Sequence, residues 1–412
     1  MMMKSGESME AGREQMKPEG LVYLDNNATT RVAAEVFEAM RPYLNELYGN
    51  PSSAHAFGRG MRASVSRARE QVAACLGARS ADEIVFTSCG TESDNWALRG
   101  ALELRPEKRH IITTRVEHEA VRLMCERLER RGYEVTWLDV NEEGELDLGA
   151  LRAALRADTC VVSIMLANNE TGVLFPIEEA GRIVREHADA LFHVDGVQAV
   201  GKVPINLADW QVDLFSLSGH KLHAPKGVGA LYVREGVRLP SFFIGGGQEK
   251  GRRAGTEAVP YIVALGAACE LASHFDGFDT IRRLRDGLED TILETFPNAR
   301  LNGTKDRAKR LPNTANISFS YLEGESILAN LDEAGVCVST GSACNAESHV
   351  SSAVLRAMNV PYTAAQGSIR FSLGRYNTEA EIDYTLDALR SIIPRLVEMS
   401  PYDEELKGRN SG

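Results

Sequence analysis

No stretch of this sequence is apolar for long enough to cross a bilayer, so a membrane-spanning protein is not expected. The first residues, Met1 to Gly20, are polar and mixed in charge and lack the apolar run of a secretory signal. They read as a disordered tail, and residues 403–412 as a second tail. An excess of basic residues is missing too. The net charge of -12 argues against nucleic acid as the main partner, since phosphate binding requires a concentrated positive surface. Seven cysteines occur, an odd number without a CxxC pair, so neither a disulfide framework nor a zinc site follows from their spacing. A reducing compartment, and so the cytoplasm, is the expectation. Nucleotide-binding loops are likewise absent. GVQAVGKV at 196–203 has Val203 where a phosphate loop places its magnesium-binding hydroxyl, and Gly245-Gly246-Gly247 lacks the GxGxxG spacing.

What is present is an ordinary globular chain of 412 residues, 43% hydrophobic and 25% charged, long enough for a large core and a smaller one. Short apolar runs at 84–87, 110–114, 134–138, 160–165, 191–194, 213–217 and 229–233 predict buried strands. Helix-period stretches at 61–76, closed by Gly77, and 119–131, closed by Gly132, lie between them. Such alternation predicts an α/β fold with a mainly parallel sheet. After about Phe275 the texture changes to long helical patterns (279–296, 379–396) around short strands at 314–318 and 368–371. The expected organisation is a large α/β domain over 21–275 and a small α+β domain over 276–402.

Several constellations carry chemistry. An apolar strand ends in Asp195, and a second leads into Ser218-Gly219-His220-Lys221, a glycine- and histidine-rich loop. A lysine that attacks an aldehyde must lose its charge in a sheltered place. An acid at a strand end can keep a pyridine nitrogen protonated. Taken singly, a surface lysine and a strand-end aspartate would explain both, but Gln198 and the Ser218/His220 pair stand beside them. Phe86 to Asn95 runs from a strand through small residues into a helix, a phosphate site or an ordinary helix cap. His118, after another strand, either serves the structure or stacks on a flat ring. Cys344 sits among small polar residues, unlike Cys75, Cys125, Cys160 and Cys269, which have apolar neighbours. Arg370, at a short strand, is of the type that clamps a carboxylate.

These residues lie in motifs that together resemble the cysteine desulfurases of the NifS/IscS type: VYLDNNATTRV, GNPSSAHAFG, FTSCGTESDN, ANNETG, VDGVQAVGK, SGHKLHAPKGVG, GRRAGTE, LPNTANISF, STGSAC and SIRFSLGRY. The match runs from about Val22 to Tyr402, and SGHKLHAPKGVG and GRRAGTE are nearest the nitrogen-fixation kind. The resemblance implies a pyridoxal-phosphate enzyme of fold type I, the aspartate-aminotransferase-like fold. It implies Lys221 as the Schiff-base lysine, Asp195 at the pyridine nitrogen, Gln198 at the phenolic oxygen and His118 stacked on the ring. Gly90, Thr91, Ser218 and His220 would hold the phosphate, with Thr256 arriving from the second subunit of a homodimer. Asn169 and Arg370 would meet the substrate. Cys344 would take the sulfur of L-cysteine as a persulfide, becoming a transient iron–sulfur ligand before an iron–sulfur scaffold protein of the NifU/IscU kind accepts it. The chain departs from the family after Cys344, where Asn345 to Ser352 lacks the usual proline. Rival readings are selenocysteine lyase, an aminotransferase, or a cofactor-free sulfur carrier. An exposed cysteine is of no use to an aminotransferase, and the Lys221/Asp195/His118 set is of no use to a carrier.

Overall fold

The computed structural model describes residues 20–340 and 352–400. The tail readings over 1–19 and 403–412, and the loop that holds Cys344, lie outside the described residues.

In chain order the strands are β1 (Val22–Tyr23), β2 (Ile84–Thr87), β3 (His110–Thr114), β4 (Glu134–Leu138), β5 (Thr159–Ser163), β6 (Leu191–Asp195), β7 (Leu214–Ser218), β8 (Gly229–Val233), β9 (Ala299–Leu301), β10 (Thr314–Phe319), β11 (Val336–Cys337), β12 (Ser339–Thr340) and β13 (Ser368–Ser372). A seven-stranded sheet has the order β2-β8-β7-β6-β5-β3-β4. All its pairings are parallel except the two made by β8. Strands covered on both faces need apolar side chains at nearly every position, so their runs were legible. Alternation sorts them: Ile84 and Phe86 join the core beneath helices Ala56–Cys75 and Val259–Ser273, while Val85 faces helices Gly90–Leu104 and Glu119–Glu129.

Helix Ala56–Cys75 begins ahead of the expected Met61, because His55 accepts a hydrogen bond from the Gly58 amide and caps it. Hydrophobic periodicity cannot register such a cap.

A second sheet, β12-β13-β10-β9, is antiparallel and has its own hydrophobic cluster, with helices Phe278–Thr295 and Glu379–Met399 packed on it. Val22 and Leu24 pack into this second cluster, and β1 pairs in parallel with β11. The segment after Leu24 therefore crosses from one core to the other. Among the described residues no helix is long and apolar enough to cross a membrane.

The parallel strands place the site. Asp195 ends β6, Ser218 ends β7, and the turns after β2, β3 and β5 lead to Gly90, His118 and Asn169. All open at the carboxyl edge of the sheet, where ligands of open α/β sheets bind.

Candidate active site

A cavity of about 450 Å³ lies at that edge, and Gly90, Thr91, His118, Asn169, Asp195, Gln198, Ser218, His220, Lys221 and Arg370 all line it. The sequence separates these residues by up to the distance from Gly90 to Arg370, and the fold brings them together. Thr256 does not join them: it is exposed and outside the cavity of its own chain. Cys344 lies outside the described residues, but β12, which leads to it, contributes Ser339 and Thr340 to the wall.

One end of the cavity is the N-terminus of helix Gly90–Leu104. A β-carbon on Gly90 would stand 2.7 Å from Val197 Cγ2, so only glycine lets the helix start so close to the turn after Asp195. The nearest acid, Glu92, is turned away. Its carboxylate accepts from the Ser88 amide (2.7 Å) and from both arms of Arg253 (2.9 and 3.1 Å). The first amides and the Thr91, Ser218 and His220 side chains, which line the cavity, could thus cradle an anion. Burial, reinforced by Lys221, lowers His220 to about 4, and its Nδ1 lies 3.1 Å from Thr29 Oγ1.

At the floor, Asp195 Oδ1 accepts from the Val197 amide (2.9 Å). Burial, and then the neighbouring Asp94, raise Asp195 to about 6. Burial also raises Asp94 to about 7, and its Oδ1 has no hydrogen-bond partner. It stands 3.5 Å from Nε2 of the buried His193. Two buried carboxyls side by side favour a cation between them and the ligand. His118 caps helix Glu119–Glu129 by accepting from the Ala120 amide through Nδ1 (3.1 Å), which fixes its ring. Behind it, Glu117 is held by Thr114 and the Met165 amide.

Lys221 closes the middle. Its Nζ donates to the carbonyls of Asn27 and, at 2.9 Å, Ala28. Gln198 Nε2 donates to the same Asn27 carbonyl (2.9 Å). On the opposite wall Arg370 donates to Asp25 (2.8 Å) and to the Asn169 carbonyl (3.0 Å), while its buried Nε has no partner. Ser352, where the chain re-enters the described region, donates to Glu170 (2.5 Å). Burial raises that carboxyl to about 7.

An aldehyde acceptor's lysine, a buried acid with one free oxygen edge, an imidazole and an anion cradle make a donor set that fits pyridoxal phosphate. Sequence reasoning passed over Asp25, Asn27, Asp94 and Glu170, although each stands inside a quoted motif. The available signal was a polar residue directly after a strand or in the first turn of a helix. It also passed over Lys202, within the rejected phosphate-loop pattern. That stretch forms turns rather than a helix start, and the lysine amine is bound by Gln198 and Asn27. Among the described residues no group of three or more His, Cys, Asp or Glu could hold a metal ion.

The family profile described as "Aminotransferase class-V" matches residues 22–385. A "Cysteine desulfurase" of Trichormus azollae is 56% identical over 390 residues, covering 94% of this chain and 96% of that protein. The "Cysteine desulfurase NifS" of Azotobacter vinelandii is 51% identical over 383 residues, covering 92% of this chain and 94% of the relative. Among solved structures, a "NIFS-LIKE PROTEIN" superposes with a TM-score of 0.86 at 41% identity, covering 91% of this chain and 100% of its own.

Proposed function

The chain belongs to the class-V aminotransferase family, and from that premise we propose that it is a cysteine desulfurase converting L-cysteine to L-alanine and a protein persulfide. The observation that carries this reading is a convergence. Lys221, Asp195 and the start of helix Gly90–Leu104 line one cavity, and so does Thr340, which stands four positions before Cys344 in the sequence.

Pyridoxal phosphate is the cofactor; when bound it supplies an aldehyde that condenses with amines and a ring that withdraws electrons from the substrate carbon. Lys221 would carry it as a Schiff base. Asp195 would keep the ring nitrogen protonated, and a carboxyl raised to about 6 by burial gains from such a cation. Gln198 would face the phenolic oxygen, and the capped ring of His118 would stack on the cofactor plane. Gly90, Thr91, Ser218 and His220 would hold the phosphate. The partner subunit's Thr256 would complete that cradle in a homodimer, a reading supported by the exposure of Thr256 outside its own cavity. Asn169 and Arg370 would receive the substrate carboxylate, for which the unpartnered Nε of Arg370 is a donor in waiting.

In the reaction Lys221 Nζ takes the proton from the substrate Cα. The Cys344 thiolate forms an S–S bond with the substrate sulfur while the Cβ–S bond breaks and Cβ gains a proton. The balance is one thiol and L-cysteine giving one persulfide and L-alanine. The terminal sulfur then passes to an iron–sulfur scaffold protein of the NifU/IscU kind, in the cytoplasm.

Borohydride reduction and peptide mapping should place the pyridoxyl label on Lys221. Sulfur-labelled cysteine should leave a label on Cys344 that reducing agents remove. Cys344→Ser should retain the cofactor and release no alanine from cysteine. Alanine formation at the parent's rate would overturn the persulfide mechanism.

A further inference from the structure

We propose that Lys202 is a positioning residue of this site, fixing the amide of Gln198 and, while it is protonated, setting a positive charge against the Lys221 nitrogen. The inference rests on Lys221 being the cofactor-bearing lysine.

The geometry is a hub centred on Asn27. Lys202 Nζ donates to Gln198 Oε1 (3.0 Å) and to Asn27 Oδ1 (3.1 Å). With Oε1 so occupied, the Gln198 amide has one orientation, its Nε2 donating to the Asn27 carbonyl. Lys221 Nζ donates to that same carbonyl. The two lysines are therefore tied to one residue, one to its main chain and the other to its side chain. Asn27 is itself immobilised from the second core. Its Nδ2 donates to Thr314 Oγ1 (2.9 Å), its Oδ1 accepts from Asn313 (3.1 Å), and its amide donates to Ser372 Oγ (2.9 Å).

Lys202 has no counter-ion: among the described residues it forms no ion pair. Lys202 and Lys221 both line a largely apolar crevice of about 50 Å³ between the two cores, together with His223 and Arg375. Arg370 also acts on it, and the nearby Asp25 carboxylate is taken up by Arg370. Among the described residues, every charged group that faces the Lys202 amine is thus a cation or a base able to become one. Burial, then Lys221 and Arg370, lower Lys202 to about 7. Like charges held close disfavour the protonated form of each other. A lysine that must accept a proton from carbon works best when its own proton is loosely held. Lys202 is charged only below about pH 7, and in that form an ammonium tied to the same asparagine serves that need.

The test uses the holoenzyme and reads the pH midpoint of its visible absorption band, which reports protonation of the Lys221-linked nitrogen. Lys202→Met should raise the midpoint by about one unit, the size of a nearby-charge effect. Lys202→Arg should restore the parent value. Asn27→Asp keeps the shape but sets a carboxylate against the ammonium, and should also raise the midpoint. It decides alone if Lys202→Met does not fold. Unmoved midpoints in the methionine and aspartate variants would overturn the inference. So would equal shifts in the methionine and arginine variants, since charge would not then be the cause. Borohydride mapping of the parent separates the two levels. Absence of label on Lys221 defeats the underlying reading, whereas label there with unmoved midpoints defeats only the role of Lys202.

Discussion

The cavity has two walls of different construction. The wall from the central sheet is made of strand ends and helix starts, and two of its polar groups are tied to backbone amides close in sequence. Asp195 accepts from Val197, and His118 accepts from Ala120. Among the described residues, the wall from the second core offers Arg370, and that is held by partners far away in the chain, Asp25 and the Asn169 carbonyl. The first wall buries acids that burial raises, Asp195 and Asp94; the second buries a cation with one unused donor. A wall of local, self-capped groups suits a resident cofactor. A wall built on a separate hydrophobic cluster, contributing one clamp and the strand that leads to Cys344, suits a substrate that arrives and a sulfur that leaves.

The largest effect on this contrast should come from breaking the first wall at Gly196. A β-carbon there would stand 1.8 Å from Cζ of the fully buried Phe215. Gly196→Ala should therefore destabilise the protein by about 3 kcal/mol, the upper range for overpacking, and displace Asp195 beside it. Thermal melting and cofactor retention both read the loss; a parental Tm with full cofactor would show that the strand end yields instead.

Breaking the second wall should leave the cofactor in place. Arg370→Lys keeps the charge but loses the fork, so KM for L-cysteine should rise about tenfold, the worth of one charged hydrogen bond. A variant that loses cofactor at unchanged KM would assign Arg370 to the first wall.

The smallest effect sharpens the electrostatic side of the comparison. In the cofactor-free protein Asp94 is raised from 3.8 to about 7. Across that window the folded chain keeps a proton that the unfolded chain has lost. Stability contributed by this group therefore falls as pH rises from about 4 to 7. Asp94→Asn, neutral throughout, should flatten the decline, measured by denaturant unfolding at several pH values. Parallel profiles for parent and variant would mean that the carboxyl is not shifted in solution.

Much of the first wall was legible because its causes are local. The bounds of β2, β3, β4 and β8 coincide with the runs at 84–87, 110–114, 134–138 and 229–233, and for β2 and β8, buried along their whole length, the reason is that strands covered on both faces leave little room for polar interruptions. The residues that link the walls were not legible. Asn27 reaches Thr314 and Ser372, and Asn313 reaches Asn27, across separations of 286 to 345 residues. No period or turn pattern encodes such contacts.

By itself the sequence determined which chemical groups stand at the strand ends, because β-strand periodicity and helix starts are properties of neighbouring residues. The tertiary structure alone decided what surrounds them. It packed β1, paired with β11, onto the second core and left Thr256 outside its own cavity. It also set the lysine of a rejected phosphate-loop pattern beside Lys221, without a counter-ion. Charge state and hydrogen-bond partnership depend on burial and on neighbours, and only a folded chain supplies both.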